Sequence, residues 1–272
     1  MDLVFFIGAL VFLFIATLHY LLFLVYQNPV VPRVARYSLY LVLVLQIAFF
    51  VVRFGRGSSI LGTNMYESLV FFSWCMVVAY LLITIRYPAP VLGAFVMPVA
   101  FVMMAASATM PDKGIAEIPS ALKSYWFPFH VTFSFMGDAL FALAAAAGVM
   151  YLIQEKQLKS KKLGAFYYRL PSLGILDQIN YRALTVGFPL LTLGIITGSV
   201  WAQDAWGAYW SWDPKEIWSL ITWLIYAALL HTRFTVGWRG KRAAYLSIIG
   251  FVAVLFTFLG VNLLSSGLHS YN

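Results

Sequence analysis

Charged residues are scarce in this sequence, and cysteine is nearly absent. Asp, Glu, Lys and Arg together make up 10% of the 272 residues, against 62% hydrophobic residues. Because soluble domains carry about 25% charged residues, this composition excludes an ordinary soluble protein and predicts a polytopic membrane protein. Cys75 is the single cysteine, so an intrachain disulfide, a Cys-x-x-Cys site and a dithiol redox relay are excluded. We expect Cys75 to be a small buried apolar residue.

Apolar segments long enough to cross a bilayer fill most of the chain. A membrane-spanning helix needs about 20 apolar residues, and eight segments meet that requirement. They cover residues 3–26, 37–54, 67–85, 90–109, 129–153, 183–201, 216–235 and 243–264. The first segment lacks a basic n-region and a small-residue cleavage site, so we expect a retained helix. The longest polar stretch runs only from Gln154 to Arg182. The predicted fold class is therefore an all-α polytopic integral membrane protein, with residues 1–272 as a single membrane domain.

The basic residues are distributed unevenly between the loops. Of the 18 Lys and Arg residues, 13 lie in one alternating set of loops and 5 in the other. Cytoplasmic loops carry the excess of Lys and Arg, so the first set is predicted to be cytoplasmic. Both termini and the loop 202–216 then face outward. The net charge of +8 is accounted for by these loops and the lipid bilayer, and no nucleic-acid partner is expected.

The segment Trp206–Glu216 is the most distinctive in the sequence. It holds four Trp or Tyr residues within eleven positions, together with a glycine. Such a run predicts an aromatic shelf that a planar ligand can approach closely. Asp213 followed by Pro214 is typical of a helix N-cap and its first residue. The alternative is an ordinary interfacial belt, but belts consist of scattered aromatic residues at helix ends.

Two histidines are predicted on the same face as this aromatic segment. His130 begins the fifth predicted span, and His269 follows the end of the eighth. Two neutral imidazoles beside an aromatic surface can ligate a haem iron axially. The alternative for each is a polar cap near the membrane interface.

Two further histidines are predicted inside the membrane. His231 lies near the inner end of the seventh span, and His19 lies at a similar depth in the first. Ionisable residues within a membrane are candidate functional residues, and the two can share a second metal or haem if their helices are neighbours. For His19, an interhelical hydrogen bond is an equally good explanation. Asp138, eight residues after His130, is a candidate for orienting a histidine or satisfying a polar group on another helix.

The aromatic segment also carries a resemblance to a known family. Residues 206–226, ending in His231-Thr232-Arg233, resemble the tryptophan-rich "WWD" signature of haem-handling proteins, and most of all CcsA (ResC). Members of that family are the polytopic subunits of the System II cytochrome c synthase. Residues 64–68, 260–264 and 267–271 also resemble CcsA segments. The resemblance is clear from about residue 60 onward.

This resemblance implies both a ligand and a set of residues that hold it. The ligand is haem b, with His130 and His269 as axial ligands at an outer site and His231 at a second, intramembrane site. The surface around the outer site is expected to include Trp206, Trp210, Trp212 and Asp213. In fused members of the family the intramembrane partner of the His231-type ligand comes from the other half of the enzyme, so His19 is the local alternative. No catalytic residue is assigned.

The family also implies partners and a location. A separate CcsB (ResB) subunit is expected, with apocytochrome c as the acceptor of the haem. The membrane is expected to be the bacterial cytoplasmic membrane or a thylakoid membrane. The enzymatic role would be that of a cytochrome c synthase subunit. Two alternatives are a haem chaperone similar to CcmC, which makes no thioether bonds, and an unrelated transporter with the aromatic loop as a gate.

Overall fold

The computed structural model describes residues 1–57, 63–110, 123–161 and 164–261. Within these ranges the protein consists of helices and their connections, with no strand. The helices are α1 (Asp2–Phe23), α2 (Val30–Gly55), α3 (Met65–Arg86), α4 (Pro90–Thr109), α5 (Trp126–Ser160), α6 (Ala165–Arg169), α7 (Leu173–Trp206), α8 (Pro214–Thr235) and α9 (Lys241–Leu255). A π-helical turn, Phe256–Gly260, continues α9. Eight of these helices are long and apolar enough to span a membrane, which confirms the predicted all-α polytopic fold.

Several helices extend well beyond the predicted spans. The span predicted at 129–153 lies within α5, which has 35 residues, and the span at 183–201 lies within α7, which has 34. At 1.5 Å per residue each helix is about 50 Å long, whereas the hydrocarbon core is about 30 Å thick. The predicted spans therefore correspond to the part of each helix that suits the lipid core. The helices themselves continue into the polar sequence beyond it. The outward placement of both termini stays a prediction.

The chain forms two compact units. The first contains residues 1–119 and 164–171, and thus α1–α4 and α6. Its core includes Tyr20 and Tyr80, whose rings meet edge to face with centroids 5.4 Å apart. A Cβ atom on Gly93 of α4 would lie 2.7 Å from the Tyr20 ring, so α4 approaches this pair as closely as a glycine allows. Cys75 is fully buried in α3, as expected.

An ion pair lies inside one end of the first unit. The Arg53 Nε atom donates to the Glu67 carboxylate at 2.9 Å, and both side chains are buried. The Asn64 side chain accepts from the Glu67 backbone N–H and so caps α3. His19 lies in this unit, on α1, and its Nδ1 atom is 2.8 Å from the Ile15 carbonyl oxygen. That contact satisfies one ring nitrogen of His19 within its own helix.

The second unit contains residues 120–163 and 172–272, and thus α5, α7, α8, α9 and the π-helical turn. Small residues bring α5 close to its neighbours. A Cβ atom on Gly137 would lie 3.0 Å from the Leu191 backbone nitrogen on α7, and one on Gly148 would lie 3.0 Å from the Ala244 carbonyl oxygen on α9. Such close backbone approach is typical of helix packing in membranes, where small residues line the interfaces.

Candidate functional site in the second unit

A hydrogen bond and a ring contact hold His130 against α7. Its Nδ1 atom lies 2.7 Å from the carbonyl oxygen of Gly194, and its ring stacks on Trp201 with centroids 5.6 Å apart and planes 21° apart. A carbonyl oxygen only accepts, so Nδ1 carries the proton and donates it. In a neutral imidazole the lone pair then belongs to Nε2. This is the tautomer that histidine ligands commonly adopt, with an orienting hydrogen bond behind the ligating nitrogen.

Two glycines of α7 make room for this arrangement. A Cβ atom on Gly198 would lie 2.5 Å from Nδ1 of His130, and one on Gly194 would lie 2.5 Å from the Ser134 hydroxyl oxygen. Neither glycine is among the site residues predicted from the sequence. Their spacing, Gly194-x-x-x-Gly198, is the small-residue pattern of closely packed membrane helices, and it was the signal available for finding them.

An aromatic cluster connects His130 to the end of α7. Trp201 contacts Phe127 on one side, with centroids 5.2 Å apart, and Trp206 on another, with centroids 4.9 Å apart. Trp201 is almost fully buried. Trp201 lies one to two turns before the segment 206–216, so it is not among the site residues predicted from the sequence. The structure therefore brings His130 and Trp206 together through a buried tryptophan.

The segment after α7 turns away through a left-handed glycine. Gly207 has φ +76° and ends α7, a conformation that glycine adopts without steric cost. The Ser199 hydroxyl then donates to the Tyr209 carbonyl oxygen at 2.8 Å, which ties the loop back to α7. Tyr209 itself is 60% exposed. The loop is thus anchored through its backbone while the Tyr209 side chain remains at the surface.

Trp210 and Trp212 lie edge to face. Their ring centroids are 5.8 Å apart, and their planes are 89° apart. The sequence predicted a flat shelf, but these two indoles present one face and one edge. Trp212 is 67% exposed. Its φ is +59°, in the left-handed region that bulky residues rarely occupy. Such a backbone costs about 1–3 kcal/mol and persists only where the surroundings impose it.

Glu216 provides the constraint that holds Trp212 in place. One carboxylate oxygen of Glu216 accepts from the backbone N–H of Ser211 at 2.8 Å and from that of Asp213 at 3.1 Å. The two donors belong to the residues on either side of Trp212, so the carboxylate fixes the backbone just before and just after it. The Ser211 hydroxyl adds a further contact with the same carboxylate at 3.2 Å. Glu216 was not predicted as a site residue, although its position three residues after an N-cap is a capping-box signal.

Asp213 is the N-cap of α8, as the sequence predicted. Its side chain accepts from the Lys215 backbone N–H at 2.9 Å, and together with Glu216 it forms a capping box. Asp213 is buried beneath the loop. Its carboxylate therefore caps the start of α8. Asp213 affects ligand binding only by fixing the conformation of the loop.

The remaining predicted ligands are distributed differently. His231 lies in the last turns of α8, and its side chain is exposed. His19 belongs to the first unit. His269 lies outside the described residues. The structure thus brings together His130, Trp201 and Trp206, and separately Trp210, Trp212 and Asp213 around the start of α8.

The donor set at this site suits a haem better than a bare metal ion. No group of three or more His, Cys, Asp or Glu residues able to hold a metal was found in the described ranges. A haem iron needs only axial ligands from the protein, because the porphyrin supplies the others. The oriented imidazole of His130 meets that requirement, and the exposed indole of Trp212 offers an apolar surface to a planar ligand. The fold and the site together define a polytopic helical membrane protein with an imidazole and an aromatic loop at one end of a helical unit.

Comparison with known proteins identifies the family of this chain. Residues 63–269 match the family described as Cytochrome C assembly protein, and the chain belongs to this family. The matched region includes all of the second unit except its last residues, and also α3 and α4.

Several similar proteins share one name. The chain is 38% identical to the "Cytochrome c biogenesis protein CcsA" of Synechococcus sp. (strain CC9902), over 88% of this chain and 87% of that protein. It is 39% identical to the protein of that name from Chlamydomonas reinhardtii, over 90% of this chain and 69% of that protein. A solved structure, "Cytochrome c Heme Lyase CcmF", matches 95% of this chain with a TM-score of 0.65 and 19% identity. This chain spans 46% of that longer protein, and the likeness shows a shared fold.

Proposed function

We propose that this chain is a haem-handling subunit of cytochrome c biogenesis that holds haem at the outer membrane face and presents it to apocytochrome c. The observation that carries the proposal is the geometry of His130. Its Nδ1 hydrogen bond leaves the lone pair on Nε2, and the aromatic cluster of Trp201 and Trp206 fixes the ring. Membership in the cytochrome c assembly family supports the same function.

Within this proposal, each part of the site has a distinct role. His130 and His269 would hold haem b at the outer site through their imidazole nitrogens. Trp206, Trp210 and Trp212 contact the porphyrin, and Asp213 shapes the loop that carries them. Haem itself supplies the vinyl groups to which the thiols of the Cys-x-x-Cys-His segment of apocytochrome c add. This chain contributes position and orientation, so its role is that of a synthase subunit without an assigned catalytic side chain.

His231 belongs to a second proposed haem site inside the membrane. Its exposed position on α8 leaves the imidazole available to a ligand or to another protein chain. The second axial ligand there is either His19 or a histidine of a CcsB (ResB) subunit. Haem would pass from this site to the outer one. We also propose that residues 1–272 form a single membrane domain and that both termini face outward.

The proposed membrane is a bacterial cytoplasmic membrane or a thylakoid. The eight apolar helices support a membrane location, and the similar proteins come from a cyanobacterium and a green alga. The proposed partners are a CcsB (ResB) subunit and apocytochrome c.

A reporter cytochrome tests the proposed function. The chain is co-expressed with a CcsB (ResB) subunit and a soluble apocytochrome c in cells that lack their own biogenesis system. Covalent haem on the reporter, detected after denaturing electrophoresis, is the expected result. Its loss in His130→Ala, with partial recovery on added imidazole, is expected because imidazole replaces the missing ligand. Haem that copurifies with the chain while the reporter stays unmodified would instead indicate a chaperone similar to CcmC.

A further inference from the structure

The interior of the second unit contains a tyrosine whose hydroxyl has no hydrogen-bond partner among the described residues. This residue, Tyr226 on α8, is fully buried. Its ring lies flat on Phe141 of α5, with centroids 3.6 Å apart and planes 11° apart. On α9, a Cβ atom on Gly250 would lie 2.6 Å from Cζ and 2.9 Å from the hydroxyl oxygen. Three helices therefore enclose the phenol in a region where an unpaired polar group is costly.

An acidic side chain lies beside this phenol. Asp138 is one helical turn before Phe141 and therefore lies on the same side of α5. Because the Phe141 ring lies on Tyr226, this side of α5 faces the phenol. No hydrogen bond or neighbouring charge from the described residues acts on Asp138. An acidic residue inside a membrane helix is expected to have a function, because placing it there is expensive.

The charged groups of the surrounding helices lie toward the helix ends. They are Glu155, Lys156 and Lys159 on α5, Asp177, Arg182 and Asp204 on α7, Lys215, Glu216 and Arg233 on α8, and Lys241 and Arg242 on α9, with His130 near the start of α5 and His231 near the end of α8. Arg233 is paired with Asp177 at 2.6 Å. A carboxylate at Asp138 would therefore lack a cation, whereas a neutral acid both donates and accepts hydrogen bonds.

We propose that Asp138 and Tyr226 form a proton-binding site inside the second unit, in which Asp138 is a neutral carboxylic acid and the Tyr226 hydroxyl donates to its carbonyl oxygen through one water. The arrangement satisfies the buried phenol and removes the charge from the acid. A divalent cation is a poor alternative ligand, since hard cations take about six or more oxygen atoms. The site does not depend on haem handling, so its failure would leave the proposed function untouched.

Carbodiimide labelling tests the protonation of Asp138. Dicyclohexylcarbodiimide is apolar and adds to protonated carboxyl groups in apolar surroundings, so the adduct is found by peptide mass spectrometry of the full chain in native membranes. At about pH 7.5, where exposed carboxyl groups are ionised, we expect an adduct on Asp138 and none on the exposed Asp204. The Asp138→Asn variant should lose the adduct. Absence of labelling on Asp138 at this pH would overturn the proposal.

Infrared spectroscopy tests the partnership with Tyr226. The difference spectrum between the parent and Asp138→Asn should contain a carboxylic C=O band. In Tyr226→Phe that band should move to higher wavenumber, because a carbonyl that loses a hydrogen bond has a stronger C=O bond. A band that does not move would exclude Tyr226 as the partner. If either variant fails to accumulate, the labelling of the unmodified chain still decides whether Asp138 is protonated.

Discussion

The Nδ1 atom of His130 lies 2.7 Å from the carbonyl oxygen of Gly194, so α5 and α7 are joined by the imidazole itself. The hydrogen bond settles which ring nitrogen carries the proton and holds the ring flat against Trp201. A haem ligand gains from both effects, since a misplaced or wrongly protonated imidazole cannot bind iron.

Gly198→Ala should weaken haem binding although it replaces none of the proposed iron ligands. The added methyl group would lie 2.5 Å from Nδ1 of His130, so the ring must move away from the Gly194 carbonyl. We expect roughly the 10–100-fold loss that follows disruption of such orienting contacts. Haem retained per purified protein measures it. Gly174→Ala, on the same helix with nothing within 4 Å, is the matched control and should behave as the parent. Equal haem content in both variants would contradict the orienting role.

Trp212→Gly should separate the stability of the loop from its function. Glycine adopts φ +59° without strain, so the variant should be as stable as the parent or more stable by about 1 kcal/mol. Removal of the exposed indole should lower haem affinity by about 1–3 kcal/mol, by analogy with aromatic stacking platforms. Thermal unfolding and haem content are measured on the same preparation. Trp212→Phe retains an aromatic ring and should retain more haem. Undiminished haem in Trp212→Gly would exclude contact with the porphyrin.

Glu216→Ala should loosen the loop that carries the tryptophans. The carboxylate accepts from two backbone N–H groups on either side of Trp212, and its loss leaves them unpaired. We expect a destabilisation of about 1–3 kcal/mol together with reduced haem content. Glu155→Ala is a suitable control, because its i,i+4 pair with the exposed Lys159 contributes little. The same loss in both variants would mean that Glu216 acts only through net charge.

His231→Ala should reduce cytochrome maturation without destabilising the chain. The side chain is exposed on α8, so truncating it removes no packing. If His19 is the second ligand, His19→Ala should give the same haem loss. If the partner subunit supplies the ligand, His19→Ala should retain normal haem content. Maturation of the reporter and haem per chain are the two readouts. Normal maturation in His231→Ala would remove this residue from the proposed pathway.

The sequence carried enough information for the eight helices and for the cap at Asp213. Apolar length predicts membrane helices well, and Asp213-Pro214 is a local signal that depends on neighbouring residues only. The positions of Trp201 and Gly198 could not be derived in this way, because their roles arise from contact between α5 and α7. The left-handed backbone of Trp212 could not be predicted either, since it depends on the hydrogen bonds from Ser211 and Asp213 to the Glu216 carboxylate.

The absorption spectrum of the purified chain, oxidised and dithionite-reduced, tests the central claim most directly. It is recorded beside the His130→Ala/His269→Ala double variant, with the partner subunit co-expressed in haem-replete cells. Bis-histidine haem at the outer site predicts sharp reduced α and β bands in the parent and weakened or absent bands in the variant. Identical spectra from both proteins, or no haem in either, would contradict axial ligation by these histidines.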